Sequence, residues 1–239
     1  MSFKSQSSLF AKLFGGLLFT GIALQANAIP FEVDITVDNS YALYYGTETQ
    51  ATNFVGSDGN WQDTESYQFD LPADNFIYVV TQSDLAVAQG FLAQFTNLLN
   101  NDRFYSSDSQ WQVTATGRYG FAPYGNTAND FAELTSQLLL ANAGSNPSNG
   151  WVATTPGNAN GASPWGLRPE IDTDAYWSWY NSNGSANPTL GGFDHNEYLI
   201  FRISVAAEEV VAHEVPEPSG LLLIGLGLLG LCAARKRRA

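Results

Sequence analysis

The sequence predicts a mainly β protein: an antiparallel β-sandwich with one or two short helices, preceded by an N-terminal signal helix and followed by a C-terminal transmembrane helix. Three observations point there. Short runs rich in β-branched and aromatic residues recur between turn residues: Val33–Val37, Tyr41–Tyr45, Tyr67–Leu71, Phe76–Thr81, Trp111–Thr116 and Tyr198–Val205. Several of them alternate apolar with polar, as in Trp111-Gln112-Val113-Thr114-Ala115, which is the period of a strand with one buried face. Long helical periodicity is scarce, whereas Asn, Gly, Ser and Thr abound, and Asp38-Asn39-Ser40, Ser57-Asp58-Gly59-Asn60 and Asn100-Asn101-Asp102 read as turns.

Two stretches resist the strand pattern. Asp84 to Asn100 fits a helix capped by Ser83, with Leu85, Ala88, Leu92, Phe95 and Leu99 on one face. It fits equally a loop followed by a strand, Gly90–Thr96. Asn129 to Ala141, with Phe131, Leu134 and Leu138 at helical spacing, predicts a helix capped by Asn129. Asn142 to Pro164 is rich in Gly, Asn, Pro and Ser. It reads as a long surface loop rather than a domain linker, because Trp151 and Trp165 interrupt and end it.

The two ends are addresses. Lys4 and Lys12 precede an apolar segment, Leu13–Leu24, and Ala26-Asn27-Ala28 has the small-x-small form of a signal-peptidase site, so cleavage after Ala28 leaves Ile29 first. At the other end, Pro216 and Pro218 hold Glu217 on a stiff, extended tripeptide. An uncharged Leu/Gly run from Gly220 to Ala234 follows, about 22 Å long as a helix. Arg235, Lys236, Arg237 and Arg238 then hold the terminus on the cytoplasmic side. The expected organisation is a signal peptide (1–28), an exported sandwich (29–206), a stalk (207–215) and a terminal segment (216–239) that crosses the membrane at 219–234.

Between the addresses, Ile29 to Val215 is long enough for one good-sized core. It holds four arginines and no lysine against 22 acidic residues, a formal charge of −18. Such a surface repels nucleic acid and anionic lipid, which excludes a nucleic-acid role. The single cysteine, Cys232, lies in the terminal segment, so this part has neither a disulfide nor a thiol nucleophile.

Pro216-Glu217-Pro218, the short Leu/Gly span and the basic end, in that order at the very C-terminus, resemble the PEP-CTERM sorting signal of exported Gram-negative bacterial proteins. The resemblance implies processing by an exosortase, a membrane protease/transpeptidase that recognises the tripeptide. It also implies transient anchoring in the inner membrane and delivery to the cell surface or extracellular matrix. The exported part resembles the galactose-binding-like jelly roll of carbohydrate-active proteins. That likeness runs from Val37-Asp38-Asn39-Ser40-Tyr41 and Leu43-Tyr44-Tyr45-Gly46 through Ile77–Val80, Ala88–Ala93 and Trp111-Gln112-Val113. It ends with Pro164-Trp165-Gly166, Ala175–Trp179 and Tyr198–Arg202. It favours the strand reading of Gly90–Thr96 and implies one structural calcium. The Asn142–Gly161 insertion departs from the pattern, and no set of sugar-gripping arginines is evident.

Catalytic patterns are thin. The two histidines, His195 and His213, have no zinc spacing, and no Gly-x-Ser-x-Gly elbow occurs. No catalytic residue is therefore assigned and no enzyme activity is expected. Hard oxygen ligands gather around Asp172, Asp174 and Asp194, the candidate calcium positions. Trp151 and Trp165, in or bounding the long loop, are the candidate sugar contacts. Strand alternation places Trp177 and Trp179 together on one face, so Tyr180 faces outward as a third candidate. The expected function is an exosortase-sorted surface or matrix protein that associates with extracellular polysaccharide without catalysis. The alternatives are a structural or adhesive protein that contacts other proteins, and a secreted glycan-processing enzyme.

Overall fold

The computed structural model describes residues 28–84, 88–120, 122–182, 184–190 and 197–205. The signal peptide, its cleavage site up to Asn27, the stalk and the terminal segment lie outside the described residues. In chain order the elements are β1 (Ile29–Asp38), β2 (Ser40–Thr47), β3 (Gln50–Asp58), β4 (Glu65–Leu71), β5 (Phe76–Gln82), β6 (Gly90–Asn97), β7 (Arg103–Tyr105), β8 (Gln112–Tyr119), α1 (Ala128–Asn142), β9 (Val152–Ala153), β10 (Thr155–Ala159), β11 (Tyr176–Trp179) and β12 (Glu197–Ser204). They build two antiparallel sheets. The first runs β10-β11-β6-β1-β4, with β7 also paired to β6; the second runs β3-β2-β5-β12-β8-β9. Among the described residues no helix is long and apolar enough to cross a membrane.

Alternation builds the sandwich. Ile29, Phe31, Val33, Ile35 and Val37 of β1 point between the sheets, where they meet Leu43, Val79, Val113, Leu199 and Phe201 of the second sheet. Rings fill the middle: Phe91 meets Trp111 edge-on at 5.1 Å and Phe201 at 5.2 Å, and Phe95 stacks on Phe104 at 4.8 Å. Each fully buried side chain of this size contributes roughly 2–3 kcal/mol. The Trp111 indole N–H donates to the Tyr105 carbonyl at 2.9 Å, so its polar atom is satisfied in the core.

Within Asp84–Asn100 the described residues hold the strand Gly90–Asn97. β6 pairs with β1 from Asp38↔Gly90 to Phe31↔Asn97, and Phe91, Ala93 and Phe95 alternate into the core. Leu99, which the helical reading would bury, is 61% exposed. The predicted helix extends from Ala128 to Asn142, and its cap is Thr127 rather than Asn129. The Thr127 hydroxyl accepts the Asp130 amide at 3.2 Å while the Asp130 carboxylate accepts the Thr127 amide at 3.0 Å, a reciprocal capping box. The long loop expected over Asn142–Pro164 is partly sheet: β9 pairs with β8 on the second sheet, and β10 pairs with β11 on the first. The segment thus crosses from one sheet to the other.

Each sheet has a covered outer face. Helix α1 lays Phe131, Leu134 and Leu138 over Tyr44, Tyr78, Tyr198 and Ile200 of the second sheet. The irregular segment 160–175 lays Trp165, Ile171 and Ala175 over Ala88, Leu92 and Trp177 of the first.

Candidate functional site

The site lies where α1 stops. On β12 the outward side chains run Tyr198, Ile200, Arg202 and Ser204, in keeping with strand alternation. Tyr198 and Ile200 lie in the cluster beneath the helix. Arg202 comes next, at the helix C-terminus, and is only 7% exposed. Its Nε donates to Gln112 Oε1 at 2.9 Å, and Nη1 donates to Asn142 Oδ1 at 3.0 Å. The guanidinium carbon sits 3.9 Å from the centre of the Trp151 ring and 5.1 Å from that of Phe76. Cation–π contact of this kind is strongest when desolvated. Burial pulls the pKa of the guanidinium down, opposed by Tyr78 and Glu48. The negative end of the α1 dipole also faces the cation, and the last turn of α1 has no basic residue of its own.

Asn142 ties the group together. Its Oδ1 accepts both Arg202 and the Trp151 indole N–H, the latter at 2.7 Å, and its Nδ2 donates to the Glu48 carbonyl at 3.0 Å. The turn between α1 and Trp151 is pinned by Asn146, whose Nδ2 reaches the Ala115 carbonyl and whose Oδ1 accepts the Gly150 amide. Trp151 is therefore half-buried and held in one orientation by its indole nitrogen and by the cation against its ring. Beside this group an open hollow of about 500 Å³ is lined by Phe76, Ser109, Gln110, Gln112, Ala153 and Ser204. Phe76 and Gln112 both touch the guanidinium and line the hollow.

The other positions singled out in the sequence are placed elsewhere. Trp165 is 5% exposed, stacked on Trp177 at 4.0 Å, with its indole N–H donated to Asp38 Oδ2 at 2.7 Å. Buried and stacked in this way, it presents no open ring face to a sugar. Trp177 and Trp179 are buried in different clusters, one under segment 160–175 and one between the sheets against Phe201. The β10–β11 ladder shifts register between Pro156 and Ala159, with the extra residue on β10. Tyr180 is half-buried and packs against the inter-sheet core. Asp172 accepts from Arg103 at 2.7 Å and from the Tyr105 hydroxyl at 2.9 Å, and these bonds hold its carboxyl below its ordinary pKa. Asp174 is exposed. Asp194 and His195 lie outside the described residues. Among the described residues no group of three His, Cys, Asp or Glu side chains is placed to hold a metal ion.

Sequence reasoning missed Arg202, Gln112, Asn142 and Phe76. A signal was present: Arg202 occupies the same strand face as Tyr198 and Ile200, two residues on from a row of buried side chains.

Residues 214–238 match the family model of the PEP-CTERM protein-sorting motif. The match covers the tripeptide, the apolar span and the basic end. No curated protein and no solved structure matches the chain. Motif and fold together define an exported β-sandwich protein that carries an exosortase sorting signal. Its path runs through a membrane-anchored stage, and an exosortase is its processing partner. The two-sheet antiparallel arrangement is consistent with a jelly-roll-like fold.

Proposed function

We infer that the processed protein resides at the cell surface or in the extracellular matrix and associates there with polysaccharide, without catalysis. The observation that carries the reading is the PEP-CTERM motif attached to a single sandwich. The sandwich holds an aromatic–amide hollow with no carboxylate among its lining residues. Polymer-binding surfaces need fixed rings and hydrogen-bonding groups rather than a tuned acid–base pair, and Phe76, Gln110, Gln112 and Ser204 supply that set.

The test starts from the native host. Intact mass and terminal sequencing should find a species that begins at Ile29 and ends near Pro216. Replacing Pro216, Glu217 and Pro218 by alanine should abolish it. The processed species should sediment with polysaccharide extracted from the medium. A membrane species still ending at Ala239 would overturn release, and a processed species that stays in the supernatant would overturn the polysaccharide association.

A further inference from the structure

The geometry points to the hollow beyond the C-terminus of α1 as a subsite for an uncharged sugar ring of a polysaccharide, a reading that rests on the association inferred above. The hollow exists because the helix ends at Asn142 while β12 and β5 run on beneath it, exposing Phe76 and Ser204. Its volume, about 500 Å³, lies inside the roughly 300–1,000 Å³ range of small-molecule sites. Its wall is braced from behind: Phe76 and Gln112, which line it, both contact the Arg202 guanidinium, and Arg202 is held in turn by Trp151 and Asn142, so little ordering is left to binding. Gln112, Ser109, Gln110 and Ser204 offer neutral donors and acceptors of the kind hydroxyl groups match.

The charge state of the ligand follows from the surroundings. Arg202 is only 7% exposed, bonded to Gln112 and Asn142 and packed against the Trp151 and Phe76 rings, and the hollow's own lining presents no cation to a carboxylate. The exported part, at −18, repels polyanions at long range. A cationic sugar would need a carboxylate in the wall, and none lines it.

The experiment is calorimetric titration of the full-length chain in detergent with three probes: maltohexaose, chitohexaose and hexagalacturonate. At least one uncharged hexamer should bind and hexagalacturonate should not. Raising NaCl from about 0.05 to about 0.5 M should change that affinity by less than about twofold, since screening has no ion pair to weaken. F76A removes the lining ring and should weaken binding at least tenfold. Because that variant disturbs packing, A153W provides the control: Ala153 is exposed on an edge strand, so the new ring fills the hollow from its rim, and binding should vanish with circular dichroism unchanged. Hexagalacturonate binding better than both uncharged probes would overturn the ligand class. Unchanged binding in both variants would overturn the location. If no probe binds while the processed protein still sediments with host polysaccharide, the subsite is wrong and the association stands. If sedimentation fails too, both readings fall.

Discussion

Helix α1 closes the outer face of one sheet with a periodic stripe, Phe131, Leu134 and Leu138. Segment 160–175 closes the outer face of the other with no regular element at all. A helix satisfies its backbone internally, so it needs only the stripe and good ends. An irregular cover must find a partner for each buried amide and carbonyl elsewhere. Asn160 does much of this: its side chain bonds the Arg168 amide and the Arg168 and Ile171 carbonyls. Arg168 in turn caps the Trp61 and Gln62 carbonyls at 3.0 Å each and lies over the Trp61 ring. The irregular cover thus depends on single residues with no substitutes, whereas the helical one spreads its load along a repeating pattern.

That contrast can be broken by mutation. Trp177→Ala removes the ring on which Trp165 stacks, a fully buried site, and should cost about 3–5 kcal/mol in urea unfolding. Asp38→Asn tests the same face through pH. Burial raises the Asp38 carboxyl from 3.8 to about 6, with Asp84 adding to the rise and the Trp165 bond opposing it. The folded state therefore holds a proton that the unfolded state has released between pH 4 and 6. The contribution of Asp38 to stability should be greatest below about pH 4, fall as pH rises through 6, and level off above it. Asp38→Asn should flatten that profile and gain up to about 3 kcal/mol at pH 8, read by thermal melts across the range.

Smaller effects sharpen the comparison. Asn160→Ala strands buried backbone groups and should cost roughly 1–3 kcal/mol. Thr127→Ala removes the cap of α1 and should cost about 1 kcal/mol. Hydrogen exchange should show the Thr127→Ala loss confined to the first turn of α1. A Thr127→Ala cost exceeding that of Asn160→Ala would mean that the helical cover, not the irregular one, is the fragile element.

Six of the twelve described strands were legible as short β-branched and aromatic runs between turn residues: β1, β2, β4, β5, β8 and β12 each overlap one of the runs read from the sequence. β3 was not, since Gln50-Ala51-Thr52-Asn53-Phe54-Val55-Gly56-Ser57-Asp58 carries no clean alternation and its ladder with β2 shifts register twice. The Asp84–Asn100 ambiguity was real. Leu92 and Phe95, three apart, share a face of a helix but lie on opposite faces of a strand, and both faces of β6 are covered, so only pairing with β1 decided between the readings. Of the candidate sugar contacts, Trp151 lies at the site and Trp165 in the packing, although both sit in similar Gly/Asn-rich surroundings in the chain.

The sequence alone determined the sorting address, because a membrane-bound processing enzyme reads a short linear segment and composition suffices to write one. It determined the strand runs and the helix for the same reason, their periods being local. Which tryptophan faces solvent, and that Arg202 meets Trp151, Phe76 and Asn142 across separations of up to 126 residues, was decided only by strand order and register. Those quantities depend on how distant segments share a buried face, and no local pattern records them.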